Sequence, residues 1–190
     1  MLPQFSFIHA AGASQPFLLT LVPSLTFAPE TVAFNFTCSN TDPAPTILGF
    51  NTLLLSSSKT LVPNLLSYTT TTSDDGILHI PGTTGTTNFY VTATNYGANG
   101  TIKISANTGS KALPVTLTVC ETRILAPKCI SGAKPSMSVT MTPGLEMDFA
   151  VFAKGTGTIP ASFATNRIFV QFADKTGAVR GLASVALQTN

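Results

Sequence analysis

The sequence predicts an all-β chain of the sandwich class, and three observations carry that prediction. Thr and Val are plentiful, and both are β-branched residues that suit a pleated surface. No segment sustains a 3.6-residue apolar period, and Gly- or Asn-containing turns interrupt the chain at short intervals. The composition agrees: 44% of the 190 residues are hydrophobic and 9% are charged. An average soluble domain has roughly 25% charged residues. Disorder requires low hydrophobicity and high net charge, whereas this chain is apolar and carries only +2.

The elements follow in chain order. Phe17–Val22 reads as a strand bracketed by Pro16 and Pro23. It is not a signal peptide, because no Lys or Arg precedes Lys59. It is also shorter than the roughly 20 residues that span a bilayer. Val32, Phe34, Phe36 and Cys38 alternate onto one face, which predicts a strand ending at Cys38 as a buried small hydrophobe. Ile102 and Ile104 form an inward set, as do Val115, Leu117 and Val119, and then Ile168, Val170 and Phe172. The last strand runs from Val179 to Leu187, with Ala183, Val185 and Leu187 on one face and Leu182, Ser184 and Ala186 on the other. Turn signals lie at Asp74-Asp75-Gly76, Asn95-Tyr96-Gly97, Asn99-Gly100, Asn107-Thr108-Gly109 and Asp174–Gly177. A faint repeat relates Phe5–Gly12, Gly76–Gly82 and Ser136–Gly144, each followed by a strand containing a Phe. Sandwiches explain it better than a pseudo-threefold lectin-like fold.

Cys38, Cys120 and Cys129 are the cysteines. The spacing of Cys120 and Cys129 admits a disulfide, two free thiols or a metal site. A disulfide closing this short loop is favoured, and its use implies an oxidising compartment. A zinc site is disfavoured because it needs about four ligands and both histidines, His9 and His79, are remote in sequence.

Charge and motifs exclude several function classes. Residues 1–100 carry net −3 and residues 101–190 net +5, but the cations are scattered singly along strands and turns. That pattern predicts solvated faces and edges rather than a nucleic-acid partner. His79 alternates with Leu78 and Ile80 and is expected to face solvent or a polar edge, while His9 ends an apolar strand. No nucleophile elbow, metalloprotease helix, phosphate loop or dinucleotide fingerprint occurs. Asp74/Asp75 and Glu146/Asp148 are the close acidic pairs, and Asp74-Asp75 reads as a turn former before it reads as part of a calcium site. No catalytic residue, metal ligand or cofactor is expected. The sequons Asn35-Phe36-Thr37 and Asn99-Gly100-Thr101 are expected by chance in a chain this rich in Asn and Thr.

Phe36–Pro45, Gly49–Ser56, Asp75-Gly76-Ile77, Ile80-Pro81-Gly82, Val119–Thr122, Asn166–Val170, Gly177–Gly181 and Ser184–Leu187 form a set of strand-and-turn stretches. Together they resemble segments of tandem immunoglobulin-like modules of large bacterial secreted and cell-surface proteins. The resemblance implies an all-β immunoglobulin-like β-sandwich, one complete module at 58–190 preceded by a partial one at 1–57. It implies that Cys120 and Cys129 flank a connecting loop and that residues 1–57 supply only the C-terminal strands of their module. The expected function is a non-catalytic structural or adhesive module, extracellular or on a bacterial surface and not inserted in a membrane. Its expected partners are other copies of itself or neighbouring immunoglobulin-like modules, joined by strand exchange between chains. The alternative is a carbohydrate-binding module, with Tyr96 in the Asn95–Gly100 turn as the candidate glycan contact.

Overall fold

The computed structural model describes residues 13–123 and 128–190. Their regular structure is β alone. Strands β1 (Phe27–Ala33) and β2 (Thr52–Ser57) pair antiparallel into a two-stranded sheet. Nine further strands build two larger sheets: β3 (Leu65–Thr71), β4 (Ile77–Ile80), β5 (Thr86–Asn95), β6 (Gly100–Asn107), β7 (Val115–Thr122), β8 (Ser136–Met141), β9 (Glu146–Gly155), β10 (Arg167–Asp174) and β11 (Val179–Thr189).

One sheet has the order β4-β11-β10-β6-β8 and the other β3-β5-β9-β7. All pairings are antiparallel except β4 on β11. This is an immunoglobulin-like β-sandwich. The second sheet has the A-B-E-D arrangement, and the first has the G-F-C arrangement extended by a strand at each end. Alternation explains the packing. Phe89, Val91, Phe149 and Val151 point inward from β5 and β9, against Ile102, Ile104, Ile168, Val170 and Phe172 from β6 and β10. Phe149 and Phe172 meet edge to face across the sheets, their centroids 5.8 Å apart. The inward sets expected for residues 102–104 and 168–172 are buried in this core, as are Ala183, Val185 and Leu187, which share one face of β11.

Two expectations are corrected near the N-terminus. Phe17–Val22 belongs to no ladder, and β1 stops at Ala33, so Phe34, Phe36 and Cys38 are not strand residues. Cys38 is exposed rather than buried. One reading took an apolar run between prolines and the other took alternation as the sign of a packed face, but the two-stranded sheet offers those side chains no opposing layer. Ile47 is the sole buried residue within 13–57. The expected strand at Phe5–Gly12 lies outside the described residues.

The chain changes sheets between β7 and β8, and the disulfide sits at that crossing. Cys120 and Cys129 are bonded, with Cα atoms 5.5 Å apart. Ile130 N donates to Glu121 O at 2.8 Å, and Val119 exchanges two backbone hydrogen bonds with Lys134. The returning chain is thus held against β7 both covalently and by a short ladder.

Candidate functional site

Tyr96 stands on the β5–β6 turn, and the residue before it makes that turn rigid. Asn95 is fully buried. Its Oδ1 accepts from Asn64 N at 3.2 Å and Gly97 N at 2.9 Å. Its Nδ2 donates to Ala98 O at 2.8 Å and Met141 O at 2.9 Å. One side chain therefore pins three loops with all of its hydrogen-bonding capacity used. Tyr96 N donates to Asn64 O at 2.8 Å, which leaves the ring 67% exposed. Tyr68 and Tyr90 lie elsewhere, on the outward positions of β3 and β5, where Tyr68 pairs with Thr92 and Tyr90 with Thr70. Tyr68 and Tyr90 are diagonal neighbours on one outward face, and Tyr96 lies beyond the end of β5. The turn signal at residues 95–97 was legible in the sequence, but Asn95's role was not, since turn asparagines are mostly solvated.

The densest polar cluster surrounds His79, on edge strand β4. Asp75 Oδ2 lies 2.8 Å from His79 Nε2, and Asp75 Oδ1 accepts from Ser73 Oγ at 2.6 Å and Ile77 N at 2.9 Å. On the far side, His79 Nδ1 is 3.0 Å from Asn190 Oδ1 and 3.3 Å from Gln188 Nε2. The hydrogen bond to Asp75, then that to Asn190, raises the imidazole pKa above its ordinary value. Hydrogen bonds from Ser73, His79 and Ile77 N hold the Asp75 carboxyl well below the usual carboxylate range.

The residue types are those of a hydrolytic triad, but their order is wrong for nucleophile activation. A catalytic serine must face the imidazole, with the carboxylate behind the ring. Here Ser73 donates to the carboxylate and the far ring nitrogen faces an amide. The geometry stabilises an imidazolium and closes the β3–β4 turn, where Asp74 adopts φ 53° and Gly76 φ 72°. With its carboxylate oxygens engaged, Asp75 acts as the turn former expected of it. Among the described residues no three His, Cys, Asp or Glu side chains converge as a metal site. His9 lies outside the described residues.

Asp174 closes the β10–β11 turn in a related way. Its carboxylate takes hydrogen bonds from Thr176 and Ala178 and pairs with Arg180 Nε at 2.7 Å. Burial alone would raise its pKa, but the Thr176 and Arg180 hydrogen bonds and the Arg180 charge outweigh that and bring it to about 2. The outward acids Glu146 and Asp148 accept from Thr94 at 3.2 Å and Thr92 at 2.7 Å across β5 and β9.

Fold and disulfide define an immunoglobulin-like β-sandwich protein with a structural cross-link, a feature of oxidising compartments. No family model matches the chain, and no curated protein matches it either. Among solved structures it is similar to WR4, a C. elegans MSP family member, at 13% identity and a TM-score of 0.34. That match covers 67% of this chain and 97% of the other. At this similarity nothing about function passes between the two. No helix among the described residues is long and apolar enough to cross a membrane.

Proposed function

We propose that the chain is a non-catalytic structural and adhesive module of a bacterial extracellular protein, joined to further copies or to neighbouring immunoglobulin-like modules through its N-terminal unit. One observation carries this reading: apolar residues of that unit are displayed rather than buried. Leu18 is 96% and Val22 86% exposed, and Leu25 and Phe36 are also exposed. Singly exposed apolar residues are ordinary, but a concentration of them marks an interaction surface. Charge supports the same reading, because no cation precedes Lys59 while the sandwich carries all ten. Among the described residues no strand pairs with the outer edge of β8, which holds neither charge nor proline within the strand and so can accept a further strand.

Light scattering over a concentration series tests the proposal. Mass that grows with concentration is expected, and a strict monomer at high concentration would sink the assembly reading.

A second reading, carbohydrate binding, draws on the exposed Tyr96 ring and its rigid support at Asn95. Saturable binding on a glycan array, lost on Tyr96→Ala, is what that reading requires.

A further inference from the structure

The stretch just before β2 is a built turn rather than a slack connection. Asn51 Oδ1 accepts from Ile47 N at 2.6 Å, and Asn51 Nδ2 donates to Pro45 O at 2.9 Å. Gly49 N donates to Thr52 Oγ1 at 3.0 Å, and Phe50 N to Ile47 O at 3.1 Å. Gly49 has φ +69°, and a Cβ there would sit 3.1 Å from the Ala183 carbonyl carbon and 3.2 Å from Leu182 Cγ. Glycine is required both for the left-handed backbone and for the close approach to β11.

The sandwich offers a matching receptor. β4 pairs with β11 only from Ala186 onward, leaving the edge of β11 at Ser184 without a strand partner. The turn fills that place: Ser184 N donates to Gly49 O at 3.0 Å, and Ser184 Oγ donates to Leu48 O at 2.6 Å. Behind Ser184 lies Arg167, 1% exposed. Its Nε and Nη2 donate to Ser184 Oγ and Ser184 O, each at 3.0 Å, and Nη1 donates to Phe163 O at 2.9 Å. No carboxylate among the described residues pairs with it. Its charge is met instead by two rings, the guanidinium carbon lying 5.3 Å from the Phe50 centroid and 5.1 Å from that of Phe163. The rings meet edge to face at 5.5 Å. Burial pushes the guanidinium down to about 10, so it stays protonated at neutral pH. A buried cation facing aromatic rings is strengthened by desolvation.

We infer that Arg167, Phe163 and Ser184 form a turn-binding socket whose ligand is a short turn presenting two backbone carbonyls, a left-handed glycine and an aromatic ring. In this chain Leu48-Gly49-Phe50 fills the socket and locks the β1–β2 hairpin to the sandwich. The inference rests on the structural-module reading and deepens it, because such a joint fixes the angle between successive units in a series. Arg167 grips the turn through its aromatic ring, so Phe50 is the contact that can be removed without opening the core.

The test nicks the full-length chain at a specific protease site placed in the exposed linker 58–61 and follows the fragments by analytical ultracentrifugation. The nicked wild-type fragments are expected to stay together at about 10 μM, a concentration at which only a real joint holds. Phe50→Ala is expected to weaken their association about tenfold, and Phe50→Tyr to keep it. Separation of the wild-type fragments, or equal association with Phe50→Ala, overturns the socket. The mass of the uncut chain is measured separately, so loss of the socket and loss of the assembly reading are told apart.

Discussion

The regions 13–57 and 58–190 use the same apolar vocabulary and reach different ends. In the sandwich, alternating strands from two sheets face each other, and residues such as Phe89, Ile104, Phe149 and Phe172 disappear from solvent. In the N-terminal unit, Leu53, Leu54 and Leu55 form a continuous apolar run in β2, yet all three are only half-buried. A run of that kind suits a strand covered on both faces, and a two-stranded sheet supplies no cover. Hydrophobicity in the sequence therefore reports a demand for burial, while the number of layers decides whether the demand is met.

Mutations should separate the two regions. The largest effect is expected for Phe149→Ala, which leaves a cavity between the sheets and should cost about 3–5 kcal/mol in urea unfolding. Phe36→Ala, the same change in the N-terminal unit, should stay within about 0.5 kcal/mol. Equal losses would erase the contrast. Asn95→Ala comes next at about 3 kcal/mol, since it strands buried backbone groups of three loops. Its Tyr96→Ala neighbour should leave stability unchanged, and a stable Asn95→Ala protein would show that the loops hold without that side chain. Replacing Cys120 and Cys129 by Ala should cost about 2.5 kcal/mol through the restored freedom of the unfolded loop. Cys38→Ser should cost nothing by the same melting assay.

The smallest effect sharpens the edge of the sandwich. The raised His79 pKa means that its stabilisation is fully present below the ordinary histidine value, about 6.5, and is lost as pH rises through the raised value. The depressed Asp75 pKa means that its own contribution is present above the ordinary carboxylate range and is lost as pH falls toward the lowered value. The wild-type advantage over His79→Gln should therefore be greatest in mildly acidic solution and shrink as pH rises. Urea midpoints across a pH series check this, and an advantage that grows with pH would contradict the assigned pairing.

The sandwich was legible in the sequence because period-2 alternation and turn chemistry agree there. Ile102/Ile104, Ile168/Val170/Phe172 and the Asp174–Gly177 turn all fall where those rules put them. Ser184 and Ala186 were expected on the face opposite Ala183, Val185 and Leu187, and both faces of the strand are buried there. Ser184 is covered by Gly49 from 135 residues earlier in the chain, a contact no local pattern encodes. Arg167 and Gly49–Phe50 both lay in stretches marked by resemblance, but their meeting depends on where β4 stops along β11. His79 was rightly placed at a polar edge, while its link to Asp75 needed the tight β3–β4 turn. Phe17–Val22 and Phe34–Cys38 show the opposite failure, an apolar run and an alternating stretch without a layer to bury them.

Site-resolved amide hydrogen exchange tests the central contrast most directly. The account predicts strong protection for β5, β9 and β10 and much weaker protection for β1 and β2, with Ser184 protected only while Gly49 remains docked. Equal protection of β1, β2 and the core strands in a dilute monomer would contradict it, because the N-terminal unit would then possess a core of its own.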